Sequence, residues 1–368
     1  MIAEQFSPKP RVVYLFGAGA SHACVRAVGS AFGILMRDLN QELAERLSTL
    51  VEEDFGGNES LRRLANDFAE FEPDFEHIIT FLDESPSALH RKFAAELRTI
   101  FEDVLRGRIN KIKGELGRVP DDLYFLLLDM YSIHNFPESL AGFLTLNYDT
   151  FLEAAIERSA THYCDPGVPI SRVQDSRRAL RTLKLHGSFE WQETWPITAG
   201  HGESTLWIPP GIEKAKQRYP FNLLWGLARE LLDCDIVRVV GCRLAANDWD
   251  LISLLFATRN TNLKRQYRIE VIDAPAHVRG LQQAYPYLSL SSMLEVEPIG
   301  SQLIAEHTGE SRLFASLTKV QQLDVIDKVG AEQNWFHVWL KQKSEATFRE
   351  LGSVATASGA VETFLRAD

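Results

Sequence analysis

Residues Leu144 to Ile156 read LTLNYDTFLEAAI, and the pattern changes inside this stretch. Phe143 to Leu146 is an apolar run of strand type, whereas Phe151, Leu152, Ala155 and Ile156 recur at the spacing of one helix face. Asn147 and Asp149 therefore fall where a strand ends and a helix begins. In a parallel α/β sheet that junction lies at the carboxyl edge of the strands, where ligands bind. Asn and Asp also favour turns and helix caps through local hydrogen bonds, so either residue alone has a purely structural use as well.

The same punctuation recurs along the chain. RVVYLF (Arg11 to Phe16) stops at Gly17-Ala18-Gly19-Ala20-Ser21, RTLKL stops at His186-Gly187, and STLWIPPG is halted by Pro209-Pro210. DIVRVV (Asp235 to Val240) stops at Gly241, and RIEVI (Arg268 to Ile272) at Asp273, with a helix expected between them and the earlier strands at about Pro220 to Asp233. From about Ile34 to Glu138 the pattern is helical, as in LMRDLNQELAERLSTLVEE, LHRKFAAELRTIFEDVLRGRI and DDLYFLLLDMYSI. The spacing predicts a doubly wound, Rossmann-like parallel α/β sheet with a large helical insertion at about 34–138. Residues 321–368 return to a helical pattern that weakens into GSVATASGAVE, expected to be a mobile terminal segment.

Bulk properties narrow the function. The chain has 368 residues, 45% of them hydrophobic and 24% charged, which is the composition of an ordinary globular protein. A formal net charge of -11 opposes broad binding to nucleic acid or to an anionic membrane, so neither is expected as a direct partner. The opening MIAEQFSPKPR has no apolar signal core, and no apolar run is long enough to span a bilayer, so the expected location is the cytoplasm. Cys24, Cys164, Cys234 and Cys242 are scattered, with no C-x-x-C pair, and read as incidental thiols.

Gly17 and Gly19 after a buried strand let backbone amides approach a pyrophosphate, with the following helix N-terminus favouring its charge. A plain tight turn uses the same residues. Ser21 is placed to cap that helix or to donate to a phosphate. His22 stands where a dinucleotide fingerprint needs its third glycine, and Asp38 lies in a helical pattern and not at a strand end, so a dehydrogenase is disfavoured. His186 ends a strand, a position open to a catalyst or to a satisfied structural histidine. His77, His90, His162 and His201 lack the spacing of helical metal sites, and no metal is expected.

The order GAGAS, helical insertion, LNYD, LHGS, VVGCRLAANDWD and VID, from about Val12 to Asp273, resembles the sirtuin-like family, in particular its bacterial NAD-consuming branch found in defence systems. DFEHIITFLDE (Asp74 to Glu84) also resembles a helix that these hydrolases carry in their insertion. With this resemblance, residues 1–320 are expected to form a sirtuin-like NAD-binding α/β domain, and the helical pattern of 321–368 a helical C-terminal segment. It implies that Gly17, Ala18, Gly19 and Ser21 hold NAD phosphates, and that Asn147 and Asp149, within a Thr-x-Asn-Tyr-Asp element that includes Thr145 and Tyr148, lie at the nicotinamide ribose. It makes His186 the catalytic histidine, and sets Gly241, Cys242, Asp248 and Asp273 on the adenosine side. Cys242 stands where the family has Ser, and the cysteine pairs of a deacylase zinc ribbon are missing after Gly187. The expected activity is hydrolysis of NAD, as substrate, to nicotinamide and ADP-ribose in antiphage defence. Control through a homo-oligomer, or through a partner such as a motor ATPase or a short Argonaute, is expected with it. An NAD or ADP-ribose sensor, a structural subunit without activity, and a protein deacylase or ADP-ribosyltransferase are the alternatives.

Overall fold

After Arg11, every residue of β1 (Arg11–Phe16) is buried. Val12, Tyr14 and Phe16 point into one core and Val13 and Leu15 into another, so the strand is covered on both faces, as a continuous apolar run in a parallel sheet requires. The computed structural model of the chain describes residues 8–70, 75–133, 136–159, 163–164, 180–192, 205–207, 220–245, 248–261, 267–294 and 334–351. His162, His201, Pro209-Pro210 and the GSVATASGAVE segment lie outside these residues.

β1 leads into α1 (Ala18–Ala27), and the helical insertion follows as α2 (Met36–Asp54), α3 (Glu59–Glu70), α4 (Phe75–Asp83), α5 (Ala88–Leu116) and α6 (Asp122–Ser132). Next come β2 (Ser139–Thr145), α7 (Phe151–Arg158), β3 (Tyr163–Cys164), β4 (Leu180–Lys184), β5 (Gly187–Gln192) and β6 (Thr205–Trp207). The chain then runs through α8 (Phe221–Leu231), β7 (Ile236–Val240), α9 (Trp249–Thr261), β8 (Arg268–Ile272), α10 (Pro275–Ala284), β9 (Ser291–Ser292) and α11 (Trp335–Leu351).

Seven strands form the main sheet in the order β3-β4-β2-β1-β7-β8-β9, each pair parallel, while β5 and β6 pair antiparallel beside it. This is the doubly wound Rossmann-like fold that the strand punctuation predicts. From β1 the chain builds outward through β2 and β4, then returns to add β7, β8 and β9 on the other side of β1. The reversal puts the topological switch point between β1 and β7, where such sheets open a crevice at their carboxyl edge.

The insertion packs against the sheet. Leu39, Leu43, Leu47 and Val51 of α2, with Phe93, Leu97, Phe101 and Val104 of α5, share one core with Tyr14, Phe16 and Phe143. α11 joins the same core through Phe336 and Trp339, and α8, α9 and α10 fill the opposite one. The face of α2 that is buried repeats every three or four residues, which is why its pattern was readable. Asp38 serves this helix locally: its Oδ2 accepts from Leu35 N at 2.9 Å, a cap bond and not a ligand contact. No helix among the described residues is long and apolar enough to cross a membrane.

Candidate functional site

Five strand ends meet at the carboxyl edge. After β1 the chain turns at once, and Gly17 N donates to Val240 O (3.0 Å) while Gly19 N donates to Gly241 O (2.9 Å). The turn is thereby pressed onto the end of β7. A Cβ on Gly17 would lie 2.6 Å from Gly241 O, and one on Gly241, whose φ is +55°, would lie 2.3 Å from Ala20 N. Only glycine permits this approach. The amides of Gly17 and Gly19, expected to face a pyrophosphate, are thus engaged with β7. What the turn leaves for an anion is the exposed Ala18, whose N–H has no partner among the described residues, at the amino end of α1.

Ser21 neither caps α1, whose N-cap is Gly17 without a side-chain bond, nor reaches solvent. At 0% exposure, its Oγ bonds Tyr124 Oη (3.1 Å) of α6 and accepts from Asn147 Nδ2 (2.9 Å). Asn147 Nδ2 also donates to Gly17 O at 3.0 Å. Both amide protons of this 7%-exposed residue therefore hold the glycine turn, and its Oδ1 makes no hydrogen bond among the described residues. Thr145 is buried beneath, its Oγ1 accepting from Asn147 N at 3.1 Å. The strand end thus fixes Asn147 from two sides and leaves one acceptor oxygen unengaged.

Asp149 Oδ1 accepts from Phe151 N at 3.0 Å, closing the turn into α7. Burial raises the pKa of Asp149, and the Lys184 ammonium together with hydrogen bonds from Phe151 N and Ser21 opposes the rise. Lys184, the last residue of β4, is 1% exposed, pairs with Glu153 Oε1 at 2.8 Å and donates to Asp149 O.

Two residues beyond Lys184 stands His186, 6% exposed, and Leu185 N donates to Thr145 O at 2.9 Å to keep the two strand ends together. The Tyr148 ring is stacked at 6.5 Å from His186 and at 5.0 Å from Phe189. Arg106 of α5 continues the stack: its guanidinium lies 5.1 Å over the Phe189 ring, and Nη2 donates to Phe189 O at 2.9 Å. The helical insertion therefore reaches the surroundings of His186 through two aromatic rings. Tyr148 lies within that stack.

On the other side of β1, Cys242 is buried against the glycine turn, and its Cα is 2.6 Å from the position a Gly17 Cβ would take. Cys24 and Cys234 are buried free thiols as well, and the side chain of Cys164 lies outside the described residues. Asp248 stands at the start of α9, where its carbonyl accepts from Ile252 N at 3.0 Å. Asp273, after β8, accepts from Ala274 N at 2.7 Å and from His277 Nδ1 at 2.9 Å. That hydrogen bond to Asp273 raises the pKa of His277 against the effect of burial. No group of three or more metal-ligating side chains occurs among the described residues.

The structure thus gathers Ala18, Asn147, Tyr148, Asp149 and His186 around β1, β2 and β4. Gly241, Cys242 and Asp273 stand at the ends of β7 and β8. Sequence reasoning missed Lys184, Glu153, Arg106 and His277. Two signals were present: Lys184 is a lone charge in the apolar run LKL, and His277 follows Asp273 by one helical turn.

No curated protein matches the chain. Among solved structures it is similar to a mutant Sir2 homologue in complex with 2'-O-acetyl ADP ribose, at 15% identity and TM-score 0.37, covering 77% of this chain and 86% of that one. A second, a mutant Sir2 homologue in complex with ADP ribose, aligns at 14% identity and TM-score 0.33 over 76% of this chain and 92% of that one. Residues 141–285, from within β2 to the residue after α10, match the family model of the SIR2-like domain.

Proposed function

We propose that this chain hydrolyses NAD at the nicotinamide–ribose bond. Water adds to the ribose C1', nicotinamide leaves as a neutral molecule, and the water's proton passes to His186, giving ADP-ribose. Because the leaving group departs neutral from a cationic pyridinium, no acid is needed to protonate it. The remaining task is to stabilise an oxocarbenium-like centre and to aim the water, which fixed polar groups do well. The observation that carries the reading is Asn147: held by Gly17, Ser21 and Thr145, it keeps its Oδ1 free to accept from a ribose hydroxyl or the attacking water. The SIR2-like match over residues 141–285 spans Asn147, His186, Gly241 and Asp273 and supports NAD as the ligand.

On this reading the phosphates lie at Ala18 and the amino end of α1, the nicotinamide ribose at Asn147 and Asp149, and the adenosine beyond Gly241 towards Asp273. Constitutive NAD loss is toxic, so the hydrolase is an effector held off until self-assembly or a partner releases it, in keeping with a role in antiphage defence. Purified protein is incubated with NAD, with and without an acyl-peptide, and nicotinamide is quantified. Release without peptide supports the hydrolase. Release only with peptide points to a transferase or deacylase. Saturable NAD binding without release under any activating condition makes the protein a sensor.

A further inference from the structure

Lys184 is a charge with no route to water. It lies at the end of β4 with 1% exposure, directly across from Thr145 in the β2–β4 register, and its ammonium meets Glu153 Oε1 at 2.8 Å and the Asp149 carbonyl oxygen. Glu153 sits one helical turn after Asp149 on α7, is itself buried, and its Oε2 has no hydrogen-bond partner among the described residues. A buried ion pair is a poor source of stability, since desolvation cancels most of the attraction. Its placement between the loop that carries Asn147 to Asp149 and the strand that delivers His186 calls for another use.

We propose that Lys184 is a positioning residue, a buried ammonium that clamps the Asn147–Asp149 loop to the His186 strand and, with Glu153, sets the charge beneath the site. Its reach to Asp149 O fixes the loop backbone one residue after Tyr148, and its pairing with Glu153 fixes the start of α7. Among the described residues, the groups facing Asp149 include Lys184 from β4, Glu153 from α7, Ser21 and Cys24 from α1, and Tyr124 from α6. Lys184 is the single cation among them. Two carboxyl groups and one ammonium thus lie beneath the proposed ribose, an arrangement suited to an oxocarbenium-like transition state. The part concerning turnover rests on the hydrolase reading, whereas the clamp itself does not.

The test uses the full chain and three variants. Lys184→Met strands Glu153 as a buried unpaired anion and should lose stability or fail to fold. Lys184→Gln/Glu153→Gln keeps hydrogen-bonding groups without the charges, and Glu153→Gln alone changes one atom type. Folding is checked by thermal denaturation, and the Asp149 carboxyl is titrated by carbon NMR without NAD. In the double variant Asp149 should titrate at higher pH than in the parent, because the attraction of Lys184 acts on it more strongly than the repulsion of Glu153. In Glu153→Gln it should titrate at lower pH. Nicotinamide release by the double variant should fall on the order of tenfold with little change in KM, its acidic limb moving to higher pH. An Asp149 titration unchanged in whichever of these two variants folds overturns the clamp. A parent that releases no nicotinamide overturns the hydrolase reading instead, and the NMR comparison still decides the clamp.

Discussion

Two buried cations on strands of the same sheet live in opposite surroundings. Arg238, in the middle of β7, is 1% exposed and fully engaged: Nη1 and Nη2 donate to Glu138 (2.6 and 2.7 Å), Nε donates to Glu270 (2.8 Å), and Tyr14 and Tyr131 add their hydroxyls. Lys343 of α11 bonds Glu138 from the other side at 2.9 Å, and Trp339 covers the guanidinium at 5.5 Å. With the exposed Arg268 at 3.6 Å from Glu270, three cations face two carboxylates, and the group ties α6, α11 and three strands together. Among the described residues Lys184, at the carboxyl end of β4, is the one cation that faces Asp149 and Glu153, and an oxygen of Glu153 has no partner. The closed cluster lies within the strands; the open one lies at the carboxyl edge, beside the proposed site. Completeness of pairing therefore distinguishes the two clusters where burial does not, since both cations are equally buried.

The contrast is most exposed to test at Arg238. Arg238→Met should leave Glu138 to Lys343 and Glu270 to the exposed Arg268 and cost roughly 3–5 kcal/mol in urea denaturation, the range for breaking a buried pair. An unchanged midpoint would mean that the closed cluster holds nothing. Next comes acidification. Burial pushes Glu138 up, but the hydrogen bonds and charge of Arg238, with Lys343, outweigh it and hold the group at about 2 against an ordinary 4.5. Its contribution of about 3 kcal/mol is present above pH 4.5 and is lost as pH falls towards 2, whereas Glu138→Gln should lack that dependence in the same denaturation series. Asp149 shifts the other way, so its stabilising share is present below its ordinary pKa and is lost as pH rises through its folded value. Acid thus weakens the closed cluster while relieving the open one.

At the edge itself, His186→Ala should lower nicotinamide release by at least about 100-fold while urea stability stays within about 1 kcal/mol of the parent. Parental release by a folded, NAD-binding His186→Ala would remove it as the base. Ser21→Ala leaves Asn147 and Tyr124 each short of a partner, and should cost about 1–2 kcal/mol and loosen Asn147, so turnover falls along with NAD affinity. A loss of affinity alone would restore Ser21 as a phosphate contact. The smallest effect is expected at Arg106→Met, where losing the stack on Phe189 should cost about 0.5–1 kcal/mol and lower kcat more than it changes KM. Equal changes in both would make the stack a binding surface and not a route to His186.

The sheet was legible because its strands are short apolar runs stopped by glycine or a polar residue: β1 and β8 coincide with RVVYLF and RIEVI. β2 starts at Ser139, earlier than the apolar run suggested, because Ser139 to Gly142 has little strand propensity and is held by pairing with β1 and β4. β3 and β9 are two-residue strands, too short to show a period. The strand-end residues of the candidate site were found for the same reason as the strands. Their direction was not, since Asn147 turning back to Gly17 and Ser21, or Gly17 N reaching Val240 O, depends on partners over 90 residues away, which no local pattern carries.

The strand order also dictates a timetable for synthesis. A chain made from its amino end presents β1 first, yet the neighbours of β1 are β2 and β7, with Val12 paired to Leu140 and Ile236. The helices between Met36 and Ser132 make mostly local contacts and are free to form while β1 waits, whereas the glycine turn cannot close on β7 until Gly241 has emerged. A nascent chain stopped before Asp235 therefore has Asn147 and His186 but no seat for the turn that Asn147 holds. The seat of the glycine turn is thus completed only after most of the main sheet has been made.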